Sequence, residues 1–288
     1  MAFEFLRKVS QFIKIEHTVF DLPFIFSGAV IASRGAFLPV TFLLILIAAV
    51  SARAAGMSIN RIEGRTWDRI NPRKKDWVLV NGKLSLRAAI LLTVVFSAIF
   101  ELVSYSLNYL VFLLSPIVLF MFITDPIMKK ITPWRHIYMG ATIGMGVMGG
   151  YLAVTPLLPS TPQIYLIFLS STLWIAGFDM IYVIPDIETD QRLGLKTVMT
   201  RFGTDRGLLI STLTHALSFA AMLVVGLYLD SFWYFLMLVP ILALMILQHR
   251  IIDPRNPATV KASFFGANSV IGFLFLLGIV LSYSVGSI

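Results

Sequence analysis

The sequence predicts an all-α, polytopic membrane protein with nine transmembrane helices, organised as a single domain over residues 1–288. Composition is the first observation behind this prediction: 58% of residues are hydrophobic and only 13% are charged, about half the charged share of an average soluble domain. The second is that nine apolar runs reach the roughly 20 residues needed to cross a bilayer. The third is a regular alternation of basic and uncharged connections between those runs.

The nine runs are placed in order by the points at which charged and turn-forming residues return. They lie near residues 18–36, 38–59, 87–106, 108–128, 135–156, 162–184, 207–229, 231–250 and 264–286. The segment before the first run is too charged for a signal peptide and has no cleavage-site pattern. Because the chain contains no Cys, disulfides and thiolate metal sites are excluded.

Lys and Arg are concentrated in every second connection, namely those after the second, fourth, sixth and eighth runs. The first of these connections carries Arg61, Arg65, Arg69, Arg73, Lys74, Lys75, Lys83 and Arg87. Apart from Arg34, the alternate connections have neither Lys nor Arg. The positive-inside rule therefore predicts a cytoplasmic N-terminus and an outside C-terminus. The net charge of +8 then reflects orientation in the membrane, so lipid and not nucleic acid is the expected partner.

The sixth run ends in a stripe of polar residues that is expensive to place in a membrane. Asp179, Tyr182, Asp186 and Asp190 are spaced so that they share one face of a continuous helix at about 100° per residue. A charged side chain in hydrocarbon costs a few kcal/mol or more. A bound divalent cation is the leading explanation for three carboxylates in this stripe.

Another polar group follows the second run, where Asn60, Glu63 and Asp68 lie at or just beyond its end and Arg53 lies two turns deeper. In chain order this is the first polar group, or first acid motif, and the stripe after the sixth run is the second. Both groups fall at helix C-termini, where the macrodipole disfavours further carboxylates unless a cation compensates. Carboxylate and amide oxygens suit Mg²⁺. Basic residues that could hold a phosphate surround the same face: Arg65, Arg73, Lys129, Lys130, Arg192 and Lys196.

The alternative interpretation of these acids is ordinary ion pairing at a membrane surface, which a single cluster would favour. Two clusters, in matching positions of two possible four-helix repeats, favour a functional site instead. Of the four histidines, His17 alone has an informative setting, at the entry of the first run, whereas His136, His215 and His249 are isolated and show no metal-ligand spacing.

The segment YVIPDIETDQRLGLKT resembles the YxxxDxxxDxxxG motif of the UbiA superfamily of intramembrane aromatic prenyltransferases, and NRIEGRTWD looks like its NxxxDxxxD motif. Further segments, such as FIKIEHTVFDLPF and DPIMKKIT, resemble the 4-hydroxybenzoate or menaquinone-pathway polyprenyltransferases. The resemblance covers nearly the whole chain. It implies nine helices around a central cavity and Mg²⁺-dependent transfer of a polyprenyl group from an isoprenyl diphosphate to a small aromatic acceptor.

The resemblance also implies roles for individual residues. The expected Mg²⁺–diphosphate ligands are Asn60, Glu63, Asp68, Asp186 and Asp190. The expected substrate contacts are Arg65, Lys129, Arg192 and Lys196 for the diphosphate and Arg53 for an acceptor carboxylate. Asp179 and Tyr182 complete the catalytic group, with Asp179 orienting the acceptor or supporting Tyr182.

Two positions depart from the family pattern. Gly64 stands where the family places an Asp, and we hypothesise that Glu63 substitutes as the ligand; a weakened first metal site is the rival interpretation. Asp125 stands where the subgroup tends to carry Tyr. Two other functions also remain open: a different UbiA-type activity, such as geranylgeranylglyceryl phosphate prenylation, or a divalent-cation transporter. Transporter sites usually lie near the bilayer midplane, so acids at the membrane edge favour the enzyme.

Overall fold

A computed structural model describes residues 2–285 of the chain, and in this range it contains helices and no strands. Nine of the helices are long and apolar enough to cross a membrane. The predicted fold class is therefore confirmed for the described part of the chain. Met1 and residue 286, the predicted limit of the ninth run, lie outside the described residues, and the single domain over 1–288 stays a prediction.

The helices are numbered in chain order. They are α1 (Ala2–Ile13), α2 (Thr18–Ala32), α3 (Pro39–Glu63), α4 (Arg65–Asp68), α5 (Leu86–Leu107), α6 (Tyr109–Ile131), α7 (Arg135–Val154), α8 (Pro162–Tyr182), α9 (Ile187–Arg192), α10 (Val198–Phe202), α11 (Thr204–Leu229), α12 (Phe232–Arg250) and α13 (Pro257–Ser284). Short 3₁₀ turns cover Ile15–His17, Pro72–Lys74 and Ile184–Asp186. The nine spanning helices are α2 with its preceding turn, α3, α5 to α8, and α11 to α13.

Several helix starts follow from local sequence. Pro39, Pro162 and Pro257 occupy the first turn of their helices, where a missing N–H costs nothing. The Asn108 side chain accepts a hydrogen bond from the backbone of α6. Asn256 caps α13 in the same way, so this helix begins at Pro257 and not near residue 264 as predicted.

Helix α8 lies at the centre of the packing and is buried over most of its length, whereas α5 and α6 are mostly exposed to the surroundings. Two glycines on α7 allow this close packing. A Cβ on Gly140 would lie 2.2 Å from the backbone oxygen of Thr172 in α8, and one on Gly150 would lie 2.1 Å from that of Ile25 in α2. Small residues at these contacts let helix backbones approach closely, as is common in membrane bundles.

The predicted stripe does not lie on one continuous helix, so that prediction was wrong. Helix α8 ends at Tyr182, a 3₁₀ turn carries Asp186, and Asp190 lies on the separate helix α9. Pro185 explains the break, because proline cannot donate an intrahelical hydrogen bond. The first polar group is divided similarly: α3 ends at Glu63, and Asp68 lies on α4. We call the end of the bundle that holds the connections 64–85, 132–134, 183–203 and 251–256 the basic end.

Candidate active site

A cavity of about 1010 Å³ opens between the turn that precedes α2 and the helices α3, α6, α7, α8 and α13. Six of the residues predicted for the site line it: Arg53, Asn60, Lys129, Asp179, Tyr182 and Asp186. The fold therefore brings residues of the second and sixth runs, which are distant in sequence, to the wall of one cavity at the basic end.

Asp186 is held by the turn that follows the first polar group. Arg73 binds both carboxylate oxygens, with Nε at 2.8 Å from Oδ1 and Nη2 on Oδ2, and Asn71 donates from Nδ2 to Oδ1 at 2.7 Å. Pro72 fixes this turn, and the Asn71 side chain accepts from the Arg73 backbone at 3.0 Å. Segments more than a hundred residues apart are thereby joined through one carboxylate.

The charge state of this pair follows from its surroundings. Burial alone would raise the pKa of the Asp186 carboxyl, but the hydrogen bond and charge of Arg73 outweigh burial and hold the pKa below its ordinary value. The same pairing raises the pKa of the Arg73 guanidinium against the opposing effect of its own burial. Both groups are therefore ionised at neutral pH.

Asp68 pairs with a lysine that the sequence did not single out. Lys74 Nζ lies 2.8 Å from Asp68 Oδ1, and both residues are buried. The Trp77 ring lies beside this ammonium, with Nζ 5.0 Å from its centroid, and the Arg61 guanidinium stacks on the same ring at 3.5 Å. Asp68 does not itself line the cavity, whereas Arg61 and Lys74 do.

Asp190 is buried, and its Oδ2 atom has no hydrogen-bond partner in the described structure. Burial raises the pKa of this carboxyl, Lys129 opposes the rise, and the negative charge of Asp186 adds to it. A buried carboxylate oxygen without a partner is costly unless a cation completes it. The Oδ2 atom of Asp190 is therefore available to bind a cation.

The donor set at the second motif fits Mg²⁺. An ionised carboxylate offers about four acceptor sites, and the three donors on Asp186 leave one on Oδ2. Among residues 2–285, no three His, Asp or Glu side chains converge to hold a metal by themselves. Mg²⁺ does not require such a cage, because it usually takes one or two carboxylates and completes its shell with water and substrate phosphate.

Asp179 lies on α8 at the centre of a buried network. His136 Nδ1 is 2.7 Å and Arg135 Nη1 3.2 Å from Asp179 Oδ2, and Arg135 Nη2 is 3.4 Å from Asp125 Oδ2. Because His136 Nε2 accepts from the Val198 backbone at 3.4 Å, its Nδ1 carries the proton and donates to Asp179. The expectation that His136 is isolated was therefore wrong: His136 positions a carboxylate of the cavity.

Arg53 lines the cavity and pairs through Nε with Asp21 Oδ2 at 3.2 Å. Asp21 is buried on α2, so this pair joins the second spanning helix to the first. A second, apolar cavity of about 930 Å³ shares Arg53 and Phe122 with the first one and extends between α2, α3, α5, α6 and α7. The charged cavity thus continues into an apolar one.

Aromatic rings form part of the wall of the charged cavity. The Tyr182 and Phe264 centroids are 4.5 Å apart, and His17 lies 5.4 Å from Phe264 and 6.2 Å from Tyr182. The Arg73 guanidinium lies 5.0 Å from the Tyr182 ring. Ring faces of this kind attract cations.

The other six predicted residues do not line the cavity: Glu63, Arg65, Asp68, Asp190, Arg192 and Lys196. Glu63 is only partly buried at the end of α3. Arg192 pairs with Glu188 at 2.5 Å, and their side chains remain 74% and 80% exposed. Lys196 is exposed and donates from Nζ to the Ile131 backbone at 3.2 Å.

The side chains that the sequence did not single out for the site are Arg61, Asn71, Lys74, Arg135 and His136. For two of them a signal was available, because Asn71 precedes Pro72 and Lys74 follows it by two residues, just after the first acid motif, and Asn-Pro predicts a turn. The others depend on contacts between distant helices, which no local pattern encodes.

Comparison with known proteins agrees with this geometry. The model of the UbiA prenyltransferase family matches residues 22–283. The 4-hydroxybenzoate octaprenyltransferase of Alkalilimnicola ehrlichii is 31% identical over 237 residues, which cover 81% of this chain and 79% of that protein.

Solved structures share the same fold. The apo structure of a UbiA homolog from Aeropyrum pernix K1 has a TM-score of 0.82 and 33% identity, covering 93% of this chain and 98% of that one. A UbiA homolog from Archaeoglobus fulgidus bound to GPP and Mg²⁺ has a TM-score of 0.72 and 19% identity, covering 95% and 99%. At 19% identity the second likeness concerns the fold alone.

Proposed function

The chain belongs to the UbiA prenyltransferase family, and from that premise we propose that this integral membrane enzyme transfers a polyprenyl group from an isoprenyl diphosphate to a small aromatic acceptor of the 4-hydroxybenzoate kind. The observation that carries the proposal is that each acid motif contributes a residue, Asn60 and Asp186, to the wall of a charged cavity that continues into an apolar one. The charged cavity suits a diphosphate, and the apolar cavity suits a prenyl chain. The curated relatives at about 30% identity carry the matching name.

The diphosphate binds at the basic end of the charged cavity. Lys129 lines this wall and forms no ion pair with any described carboxylate, so its ammonium is available for a phosphate oxygen. Arg73 and Lys74 line the same region. Their charges oppose the negative charge that develops on the leaving pyrophosphate. Arg65, Arg192 and Lys196 lie off the cavity wall and are not part of the proposed site.

Asp186 and Asp190 would hold Mg²⁺ for the diphosphate, with Asn60 of α3 as a neutral oxygen donor. When bound there, the ion adds to the neutralisation of the leaving group. A protein of the same fold from Archaeoglobus fulgidus binds GPP and Mg²⁺, in keeping with this assignment.

The chemistry is an electrophilic aromatic substitution. The bond between the prenyl carbon and the diphosphate oxygen breaks, and its electron pair leaves with pyrophosphate. The rings of Tyr182, Phe264 and His17 face the resulting allylic cation and stabilise it. An electron-rich ring carbon of the acceptor then forms the new carbon–carbon bond and loses its proton.

Asp179 orients the acceptor. Its carboxylate stays ionised because His136 and Arg135 donate to it, so it accepts a hydrogen bond from the acceptor hydroxyl and increases electron density in the ring. Arg53 lines the cavity beside Asp21 and is the candidate partner of an acceptor carboxylate. The basic end, which carries these groups, faces the cytoplasm in this proposal because of its Lys and Arg content.

A prenylation assay with mass-spectrometric detection tests the function. The purified protein is mixed with Mg²⁺ and a matrix of isoprenyl diphosphates of different length against hydroxybenzoates, a dihydroxynaphthoate and a glycerol phosphate lipid. We expect a prenylated aromatic product, and at least a hundredfold loss in Asp186→Asn and Asp190→Asn. Prenylation of the glycerol phosphate lipid alone would indicate another activity of the family. Mg²⁺ flux in proteoliposomes without any product would establish the transporter alternative.

A further inference from the structure

The two acid motifs differ in how the protein's own cationic side chains pair with their carboxylates. The resemblance implies divalent ions at both motifs, yet among the described residues only the second motif has a buried carboxylate oxygen without a hydrogen-bond partner, Asp190 Oδ2. At the first motif the Lys74 ammonium lies 2.8 Å from Asp68 Oδ1. The Asp68 carboxylate is therefore already paired with a buried cationic side chain of the protein.

Gly64 removes the second carboxylate that a metal would need at the first motif. A Cβ built on Gly64 would lie 3.5 Å from Asp68 Oδ2, so an acid side chain at this position would extend beside the Asp68 carboxylate. Glu63 does not take its place, because it is partly exposed and lies off the cavity wall. Asp68 is thus the one carboxylate of the first motif that contacts a cavity-lining residue, Lys74.

The numbers of charged side chains around each acid motif also distinguish the two motifs. Around the first motif, one carboxylate, Asp68, faces two cations, Lys74 and Arg61, and Arg61 feels the charge of Asp68. A divalent ion there would add two more positive charges to a site that is already net positive. Around the second motif, two carboxylates, Asp186 and Asp190, face Arg73 and Lys129 and also feel the charge of Lys74, so this motif offers a divalent ion twice the carboxylate charge of the first.

Lys74 cannot easily leave Asp68. It is the last residue of the 3₁₀ turn that Pro72 begins and Asn71 caps, and the preceding residue, Arg73, is bound to Asp186. Its ammonium also rests beside the Trp77 ring. Displacing Lys74 would disturb the contact that joins the two motifs.

We propose that the Lys74 ammonium takes the place of a divalent ion at the first acid motif, so that the diphosphate-bound protein holds one divalent ion, at Asp186 and Asp190, where two would be expected. Lys74 lines the cavity and supplies part of the positive charge that the second ion would bring. The inference rests on the proposed function for the presence of a diphosphate. It needs no activity measurement to be tested.

The test counts metal ions directly. Mn²⁺, which is paramagnetic and binds like Mg²⁺, is titrated into the full-length protein in detergent with saturating inorganic pyrophosphate, and bound Mn²⁺ is measured by electron paramagnetic resonance. We expect one protein-dependent Mn²⁺ per chain above the protein-free pyrophosphate blank. Asp68→Asn keeps this count at one, whereas Asp190→Asn weakens Mn²⁺ binding at least tenfold. Lys75→Gln, a change at the exposed neighbouring lysine, is the matched control and leaves count and affinity unchanged.

The converse variant restores the missing site. Gly64→Asp combined with Lys74→Gln supplies a second carboxylate and removes the ammonium, and we expect two Mn²⁺ per chain. Two ions in the wild type, or loss of one ion in Asp68→Asn, would overturn the inference while leaving a metal-dependent transferase intact. No ions in the wild type would instead contradict the metal role in the proposed function as well. The wild-type count and the Asp68→Asn count decide the question even if the double variant does not fold.

Discussion

Asp179 shows how the residues of the site keep charges inside an apolar bundle. The sequence predicted that a carboxylate in this stretch needs a compensating cation, and the chain provides one in Arg135, with His136 as a further donor. The chemical need was therefore predictable from one residue, whereas the identity of its partners was not. Arg135 and His136 lie more than forty residues away in sequence and meet Asp179 only because α7 packs on α8.

Removing Arg135 is expected to destabilise the fold strongly. Arg135→Met leaves Asp125 and Asp179 buried without their shared partner, and breaking a buried ion pair in this way costs about 3–5 kcal/mol. Thermal unfolding of the detergent-solubilised protein measures the loss. Arg192→Met is the control, because the Arg192–Glu188 pair is largely exposed and contributes less than about 1 kcal/mol. Equal losses in the two variants would contradict the assignment of the buried network.

The double variant Asp125→Asn/Arg135→Met refines the test at the same position. Because one of the two stranded carboxylates is then neutral, it should recover part of the stability that Arg135→Met loses. No recovery would show that Asp125 contributes little to holding Arg135.

His136 is expected to act on acceptor binding through Asp179. His136→Phe removes a hydrogen bond to a charged group, which is worth about 1.5–3 kcal/mol, so the KM for the aromatic acceptor should rise at least tenfold while the KM for the diphosphate changes little. Steady-state kinetics with each substrate varied in turn provides the measurement. His249→Phe is the control, since His249 pairs with His215 and does not line the cavity. A parallel rise in both KM values would indicate general damage and not loss of positioning.

At the scale of the elements, helix limits were predictable where local chemistry sets them and failed where a break occurs inside an apolar run. Capping residues and first-turn prolines mark the starts of α6 and α8. At Pro185 the structure ends α8 before the proline and starts α9 after it, because the chain turns there to place Asp186 against Arg73. Periodicity extended across this proline was misleading, since 100° per residue applies only while the helix continues.

The contact between α7 and α8 is expected to tolerate no side chain at Gly140. A Cβ there would lie 2.2 Å from the Thr172 backbone oxygen, which cannot move without shifting α8. Gly140→Ala should therefore lower the melting temperature by several degrees and displace Asp179 enough to reduce prenyl transfer. Gly149→Ala lies on the same helix with nothing within 4 Å of the added Cβ, so it should be neutral or slightly stabilising. Comparable melting temperatures for the two variants would contradict the close packing.

At the scale of the whole molecule, the fold class was predictable because membrane insertion constrains composition along the entire chain. Nine apolar runs appear as nine long helices within the described residues, and both acid motifs meet at the end where the basic connections lie. The continuity of the charged cavity with the apolar one could not be predicted, since it depends on how side chains of five helices leave space between them. The direction in which this assembly crosses the membrane follows from charge alone and stays a prediction.

The natural absence of cysteine allows the orientation to be measured without altering other thiols. Lys75→Cys places a thiol at the exposed surface of the basic end, and Ser160→Cys places one in the exposed connection at the opposite end. If the basic end faces the cytoplasm, a membrane-impermeant maleimide should label Ser160→Cys in right-side-out vesicles and Lys75→Cys only in inside-out vesicles. The reverse pattern would place the diphosphate site outside, where the cellular supply of isoprenyl diphosphate could not reach it directly. The labelling therefore bears on function as well as topology, because an enzyme must open its charged cavity to the side that holds its substrate.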